Sequence, residues 1–251
     1  MDYQEIPKTG LRISRLGLGT VQFGLDYGFT KAKTQHEVDA ILETALGCGI
    51  DYLDTARGYG SSEAKIGNFL RRRPASRLAV MTKLAKIAPE TAGDKKELRR
   101  AFERSLDESR RELGLDSIPV LLLHQTDAFL TGLDSFWDIV ADFKARGRID
   151  AFGVSVYTPQ ETRAIVERAA AYIDLVQVPL NVFDQRFLGL AAELRDMKIA
   201  VISRSAFLRG VIGLRPDQLP AGLQGLSRPI ERLRAIAAGS GIPPDTLALD
   251  F

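Results

Sequence analysis

Residues 52–67, YLDTARGYGSSEAKIG, set a carboxylate and a phenol at the mouth of a short apolar run. Tyr52 and Leu53 lead into Asp54, and Tyr59 follows between two glycines before a helix opens. Further along, LAVMTK ends on Lys83 and PVLLLHQ carries His124 at its end. Each residue has an ordinary explanation. Asp54 could cap a turn, Tyr59 could cover a surface, Lys83 could end a strand in solvent and His124 could be a satisfied core histidine. Together they are a carboxylate, a phenol, an ammonium and an imidazole, and that set has a specific chemistry. A free phenol titrates near pH ~10 and is a poor acid at neutral pH, whereas a neighbouring ammonium favours phenolate. Lys83 can supply that charge, and Asp54 can hold Lys83 protonated and in place. His124 can orient a carbonyl oxygen while Tyr59 delivers a proton to it and hydride reaches the carbon.

Those residues meet only if the elements that carry them share one rim. Apolar runs fall at 16–19, 52–53, 78–81, 119–123, 151–155, 175–178 and 199–202, nearly all of them continuous, as strands buried on both faces should be. Helices lie between them. TQHE (Thr34 to Glu37) and TPQE (Thr158 to Glu161) fit capping boxes, the second with Pro159 at the first helical position. Asp94 opens a helix whose Leu98, Phe102, Leu106 and Leu113 form an apolar stripe, and Gly114 stops it. Alternating strand and helix imply a parallel sheet. A doubly wound nucleotide fold should carry GxGxxG after its first strand. GLGTVQFG has Gln22 where the third glycine should fall, and a loop follows it. The expectation is therefore an α/β chain of the (β/α)8 barrel type. YQEIPKTGLRISRLG is then a hairpin plugging its bottom, and the four residues lie at the C-terminal ends of its strands. Residues 213–229 read as a long loop, and no internal repeat or low-complexity stretch interrupts the chain.

Bulk properties narrow the classes. The chain has 251 residues, 45% of them apolar and 26% charged, and a formal net charge of +2. That fits one soluble barrel domain over residues 1–251 and gives no handle for nucleic acid or an anionic membrane. Arg71, Arg72 and Arg73 close a helix and read as its solvated C-terminal end. The single cysteine, Cys48, has no partner for a disulfide, a metal or redox work and reads as a small buried residue. With a charged N-terminal stretch and no long apolar span, the expected location is cytoplasmic.

DTARGYGSSE, VMTK, LLLHQTD, GVSVYTPQE and LVQVPLN, with GLGTVQFG and RELGLDSIPVLLLH, together resemble the aldo-keto reductase family in its bacterial form. The resemblance spans essentially the whole chain, with the motifs in family order. It implies a (β/α)8 barrel that binds a nicotinamide cofactor without a Rossmann domain, and a catalytic tetrad of Asp54, Tyr59, Lys83 and His124. It also implies that Ser155 and Gln177 hold the nicotinamide carboxamide. Val156 stands where an asparagine is usual, a departure that bears on one carboxamide contact. Arg204 aligns with the place where the family often stacks an aromatic on the nicotinamide, and Ser205, Phe207 and Leu208 would approach the pyrophosphate. The expected cofactor is NADP(H), the family's commoner choice, with NAD(H) not excluded.

Family members continue past the helix that opens near Pro244 into an eighth strand and helix, so the chain reads as C-terminally truncated relative to the family. Two functions follow as expectations. One is an NAD(P)(H)-dependent oxidoreductase acting on a small aldehyde, ketone or sugar lactol. The other is a non-catalytic barrel of the same shape serving as an interaction or regulatory module. A Schiff-base aldolase using Lys83 fits less well, because such a lysine needs an apolar or cationic setting and not a paired carboxylate. Specificity in such a barrel lies in loops, here 21–33 with Phe23, Tyr27 and Phe29, 84–93 and 213–229. Neither the substrate nor the oligomeric state has a sequence handle.

Overall fold

A computed structural model describes residues 1–74, 76, 78–124 and 132–251. The chain opens on an antiparallel hairpin of β1 (Tyr3–Glu5) and β2 (Arg12–Ser14). Seven parallel strands follow in sequence order: β3 (Leu18–Gly19), β4 (Tyr52–Asp54), β5 (Ala79–Lys83), β6 (Ile118–Leu123), β7 (Ile149–Ser155), β8 (Leu175–Pro179) and β9 (Ala200–Arg204). They form one curled sheet of the (β/α) barrel type. Among the described residues, no ladder joins β3 to β9.

The main helices between and after the strands are α1 (Gln35–Gly47), α2 (Ser62–Arg72), α3 (Lys95–Leu113), α4 (Asp134–Ala145), α5 (Pro159–Ala169), α6 (Ala191–Asp196), α7 (Ser227–Ser240) and α8 (Pro244–Asp250). Their starts follow local chemistry. Thr34 and Thr158 each close a complete capping box, with Glu37 and Glu161 respectively. The Asp94 side chain accepts from the Lys96 and Glu97 amides, and Gly114 ends α3 in the left-handed region that glycine enters without strain. Among the described residues, no helix is long and apolar enough to cross a membrane.

Strand periodicity divides the core in two. Alternate side chains face opposite sides of a sheet, so Tyr52, Met81, Val120, Leu122, Leu175 and Ile202 fill the interior. The hairpin's Ile6 and Ile13 join that cluster from below, which makes the hairpin a bottom plug. The other parity, including Leu53, Val80, Leu121, Phe152 and Val176, packs outward against the helices. Phe102 of α3 anchors that layer, with ring centroids 4.9 Å from Phe143 and 6.1 Å from Phe136.

Three expectations change here. The loops expected at 21–33 and 84–93 contain one-turn helices at Val21–Gly24 and Pro89–Ala92. Residues 213–229 are not a loop throughout. Short 3-10 turns at Pro216–Gln218 and Ala221–Leu226 lead into α7, whose first residue is Ser227. Such turns have no helical apolar period to reveal them. Cys48 is exposed, because it is the residue capping the C-terminus of α1, where the chain leaves the packed face of the helix.

Candidate active site at the C-terminal rim

Among the described residues, the interior parity carries its charged side chains at the C-terminal end. Continuing the inward-facing register upward gives Asp54 after Tyr52, Lys83 after Met81, His124 after Leu122, Gln177 after Leu175 and Arg204 after Ile202. Because the strands are parallel and in register, these residues reach one rim. Gly19 pairs with Asp54, Lys83 with Leu122, Ser155 with Gln177, and Pro179 with Arg204.

Lys83 is 1% exposed and makes a short ion-paired hydrogen bond to Asp54 Oδ1. Its Nζ also donates to the Thr55 carbonyl at 2.8 Å. Burying an ammonium is tolerable only when it is paired and hydrogen-bonded in this way. The same Nζ lies 5.0 Å from the centroid of the Tyr59 ring. His124 meets Tyr59 edge-on, with ring centroids 5.7 Å apart and planes at 81°. The four residues that the sequence singles out therefore surround one point at the barrel mouth.

Polar bonding holds the Tyr59 turn. The Tyr59 amide donates to the Ala56 carbonyl at 3.0 Å, and its own carbonyl accepts from the Ser62 amide at 3.1 Å. The Ser62 hydroxyl, fully buried, bonds both Thr55 Oγ1 and Thr20 Oγ1 at 3.0 Å. The backbone of the one-turn helix Val21–Gly24 lies directly against this turn. A Cβ on Gly24 would fall 1.9 Å from the Tyr59 carbonyl oxygen, so the close approach requires glycine.

The electrostatics correct one expectation. Tyr59 is not drawn toward phenolate. Burial pushes its pKa up, and the Asp54 carboxylate and the Tyr27 phenol push the same way, with Arg204 opposing. Desolvation outweighs the attraction of any cation here, so the phenol stays protonated across the neutral range. His124 is held down to about 4, by burial first and then by the Lys83 charge. It is a neutral imidazole at pH 7.

The remaining residues divide. Ser155 and Gln177 are buried side by side in the ladder. Gln177 Nε2 donates to Asp54 Oδ2 at 2.9 Å, while its Oε1 is buried without a hydrogen-bond partner. Arg204 donates to the Val156 carbonyl at 3.2 Å, with its guanidinium 4.5 Å from the centroid of the Tyr157 ring. Ser205, Phe207 and Leu208 follow on the loop after β9, with Ser205 and Leu208 at positive φ and Phe207 exposed. Of the aromatics in the first loop, Phe23 is absorbed into the outer core, Phe29 is exposed, and the Tyr27 ring lies 5.0 Å from the Arg209 guanidinium. Residues 125–127 of the LLLHQTD motif lie outside the described residues.

Sequence reasoning passed over two contributors and one contact of a third residue it had named. Thr20 and Ser62 tie the turn, and Gln177 reaches the Asp54 carboxylate itself. The signal for Thr20 and Ser62 was the small polar residues beside the strand ends.

A family model described as "Aldo/keto reductase family" matches residues 15–251. The chain belongs to the aldo/keto reductase family. It is 32% identical over 194 residues to a D-threo-aldose 1-dehydrogenase of a Pseudomonas species, an alignment covering 67% of this chain and 57% of that protein. It is 27% identical over 232 residues to the NADH-specific methylglyoxal reductase of Escherichia coli, covering 85% of this chain and 70% of that one. The chain thus spans little more than half the length of the first of these relatives. Its fold is that of a holo-form aldo-keto reductase from Bacillus halodurans, with a TM-score of 0.79 at 23% identity, covering 99% of this chain and 81% of the other.

Proposed function

We propose that this chain carries the catalytic face of an NAD(P)(H)-dependent oxidoreductase that interconverts a small aldehyde, ketone or sugar lactol with its alcohol or lactone. One observation carries the reading: the buried Lys83, paired with Asp54, and the His124 ring flank the same tyrosine at the rim. Family membership and the two oxidoreductase relatives support the reaction class. Residues 1–251 are taken as one barrel unit in this reading.

The nicotinamide, when bound, supplies or takes the hydride. Gln177 suits its carboxamide, because the buried unpaired Oε1 is an acceptor in want of an N–H donor. Ser155, beside it, is the second contact, and Arg204, Ser205, Phe207 and Leu208 form the proposed path for the rest of the cofactor. In the reducing direction, Tyr59 gives its phenolic proton to the carbonyl oxygen while the carbon accepts hydride, leaving a neutral alcohol and a phenolate. Lys83, fixed by Asp54 and the Thr55 carbonyl, stabilises that phenolate once it forms. His124, neutral at pH 7, donates a hydrogen bond to the substrate oxygen and sets the direction from which Tyr59 reaches it. In the oxidising direction the phenolate is the base. The raised pKa of Tyr59 therefore favours reduction at neutral pH and predicts that oxidation climbs as the pH is raised.

NADP(H) is the first cofactor to test, with NADH in parallel because one relative is NADH-specific. Calorimetric titration with each nucleotide, followed by reduction assays on small aldehydes and aldoses, tests the reading. Trp137 is a poor reporter, since it packs 5.7 Å from Tyr172 and 6.3 Å from Phe152 in the outer wall. Heat of binding with turnover supports the proposal. No heat at millimolar nucleotide, in a folded sample, overturns it. That result would favour the second reading, an interaction module, for which the feature is that, among the described residues, β3 and β9 each have a single strand neighbour in the sheet.

A further inference from the structure

Behind the barrel wall, beneath the Tyr59 turn, a second polar cluster is left without a role in the proton transfer. Glu63, in the first turn of α2, is 1% exposed, an unusual burial for a carboxylate. Both its oxygens are engaged. Oε1 accepts from the Thr82 hydroxyl at 2.6 Å, and Oε2 accepts from Arg57 Nη1 at 2.5 Å. Arg57 also pairs with Glu108 at 3.2 Å and Glu112 at 3.3 Å, both on α3. Its backbone amide donates to the Lys83 carbonyl at 3.2 Å.

The chain positions of these groups are informative. Arg57 lies two residues before Tyr59. Thr82 lies one residue before Lys83 and, by strand alternation, points out of the barrel where Lys83 points in. One buried carboxylate thus grips, from the outside, the two segments that present the phenol and the ammonium on the inside. Stability alone gives little reason for such a pair, because an apolar replacement of similar volume is often neutral or stabilising. What the pair does fix is geometry, and reacting groups are sensitive to displacements of an ångström.

We propose that Glu63, acting through Arg57 and Thr82, is a positioning residue that holds the Tyr59 turn in register with Lys83. The inference rests on Tyr59 being the acid, so its test needs a readout that does not depend on turnover. Tyrosine labelled with 13C at Cζ reports ionisation by NMR, and the Tyr59 signal is the one lost in Tyr59→Phe. In Arg57→Ala the loosened turn admits water, and the Tyr59 titration should move down from its raised position toward the ~10 of a free phenol. Thr82→Val should move it the same way by less, and Arg57→Lys should restore most of the wild-type behaviour. Under turnover, kcat should fall about 10- to 100-fold in Arg57→Ala with the nucleotide KM held within about twofold.

Should Arg57→Ala fail to fold, Thr82→Val, which leaves the ion pair intact, decides the matter by the same signal. An unmoved Tyr59 titration in folded variants overturns the positioning role, whatever the activity. A moved titration in a protein that reduces no carbonyl sustains the positioning role and sinks the oxidoreductase reading instead.

Discussion

Each end of the barrel holds a carboxylate–lysine pair with one partner buried, the lysine at the top and the carboxylate at the bottom, and the two pairs behave differently. At the C-terminal rim Lys83, 1% exposed, is paired with Asp54. At the opposite end Asp174, also 1% exposed, accepts from Lys144 at 2.6 Å and from the Phe152 amide at 2.8 Å. There Lys8 of the hairpin donates to the Ala170 and Ile173 carbonyls, completing a polar seam between plug and barrel. The bottom pair ties backbone to helix. The top pair has a phenol, an imidazole and a half-engaged glutamine beside it, and those neighbours turn an ion pair into a candidate reaction centre. A buried lysine and carboxylate are not a site by themselves. Which groups they face decides what they do.

The comparison can be broken at either end. The largest effect is expected from Lys83→Met, which should lower kcat for carbonyl reduction by about 10²–10³ in steady-state assays. Lys144→Met should leave turnover per folded molecule unchanged. Equal losses from both variants would erase the distinction.

At the bottom, Asp174→Ala strands the Phe152 amide and the Lys144 ammonium. Urea unfolding should show a loss of roughly 2–4 kcal/mol, discounted because Lys144 is partly solvated. Nucleotide binding should be unaffected.

A smaller effect belongs to pH. The folded-state pKa of His124 lies below its unfolded value, so the unfolded chain takes up the proton first. Stability should therefore fall as pH drops from about 6.5 to about 4, with no contribution from this group at neutral pH. His124→Asn should flatten that part of the stability profile. Smallest of all, Cys48→Ser, at an exposed cap, should change stability by no more than about 0.5 kcal/mol.

Much of this was legible in the sequence. Capping boxes at Thr34 and Thr158 and the stop at Gly114 are short-range chemistry, and they appear where the residues put them. Asp54, Lys83 and His124 were readable because each ends an apolar run, whereas Gln177 and Arg204 were readable only through the family resemblance. Five things were not legible, for physical reasons. The 3-10 turns within 213–229 lack an apolar period, and Cys48 turns outward only because α1 ends there. The raised pKa of Tyr59 depends on burial, which no local pattern encodes. The Arg57–Glu63–Thr82 cluster joins a loop, a helix and a strand, and Asp174 meets Lys144 across 30 residues. Such partners are found only once the barrel brings them together.

The central claim is that the tyrosine at the rim is the proton donor, and Tyr59→Phe tests it most directly. Nucleotide affinity by calorimetry and carbonyl reduction should be measured on the same folded sample. The account predicts affinity within about twofold of wild type and reduction lowered by about 10²–10⁴. Reduction at the wild-type rate by the phenylalanine variant would contradict it.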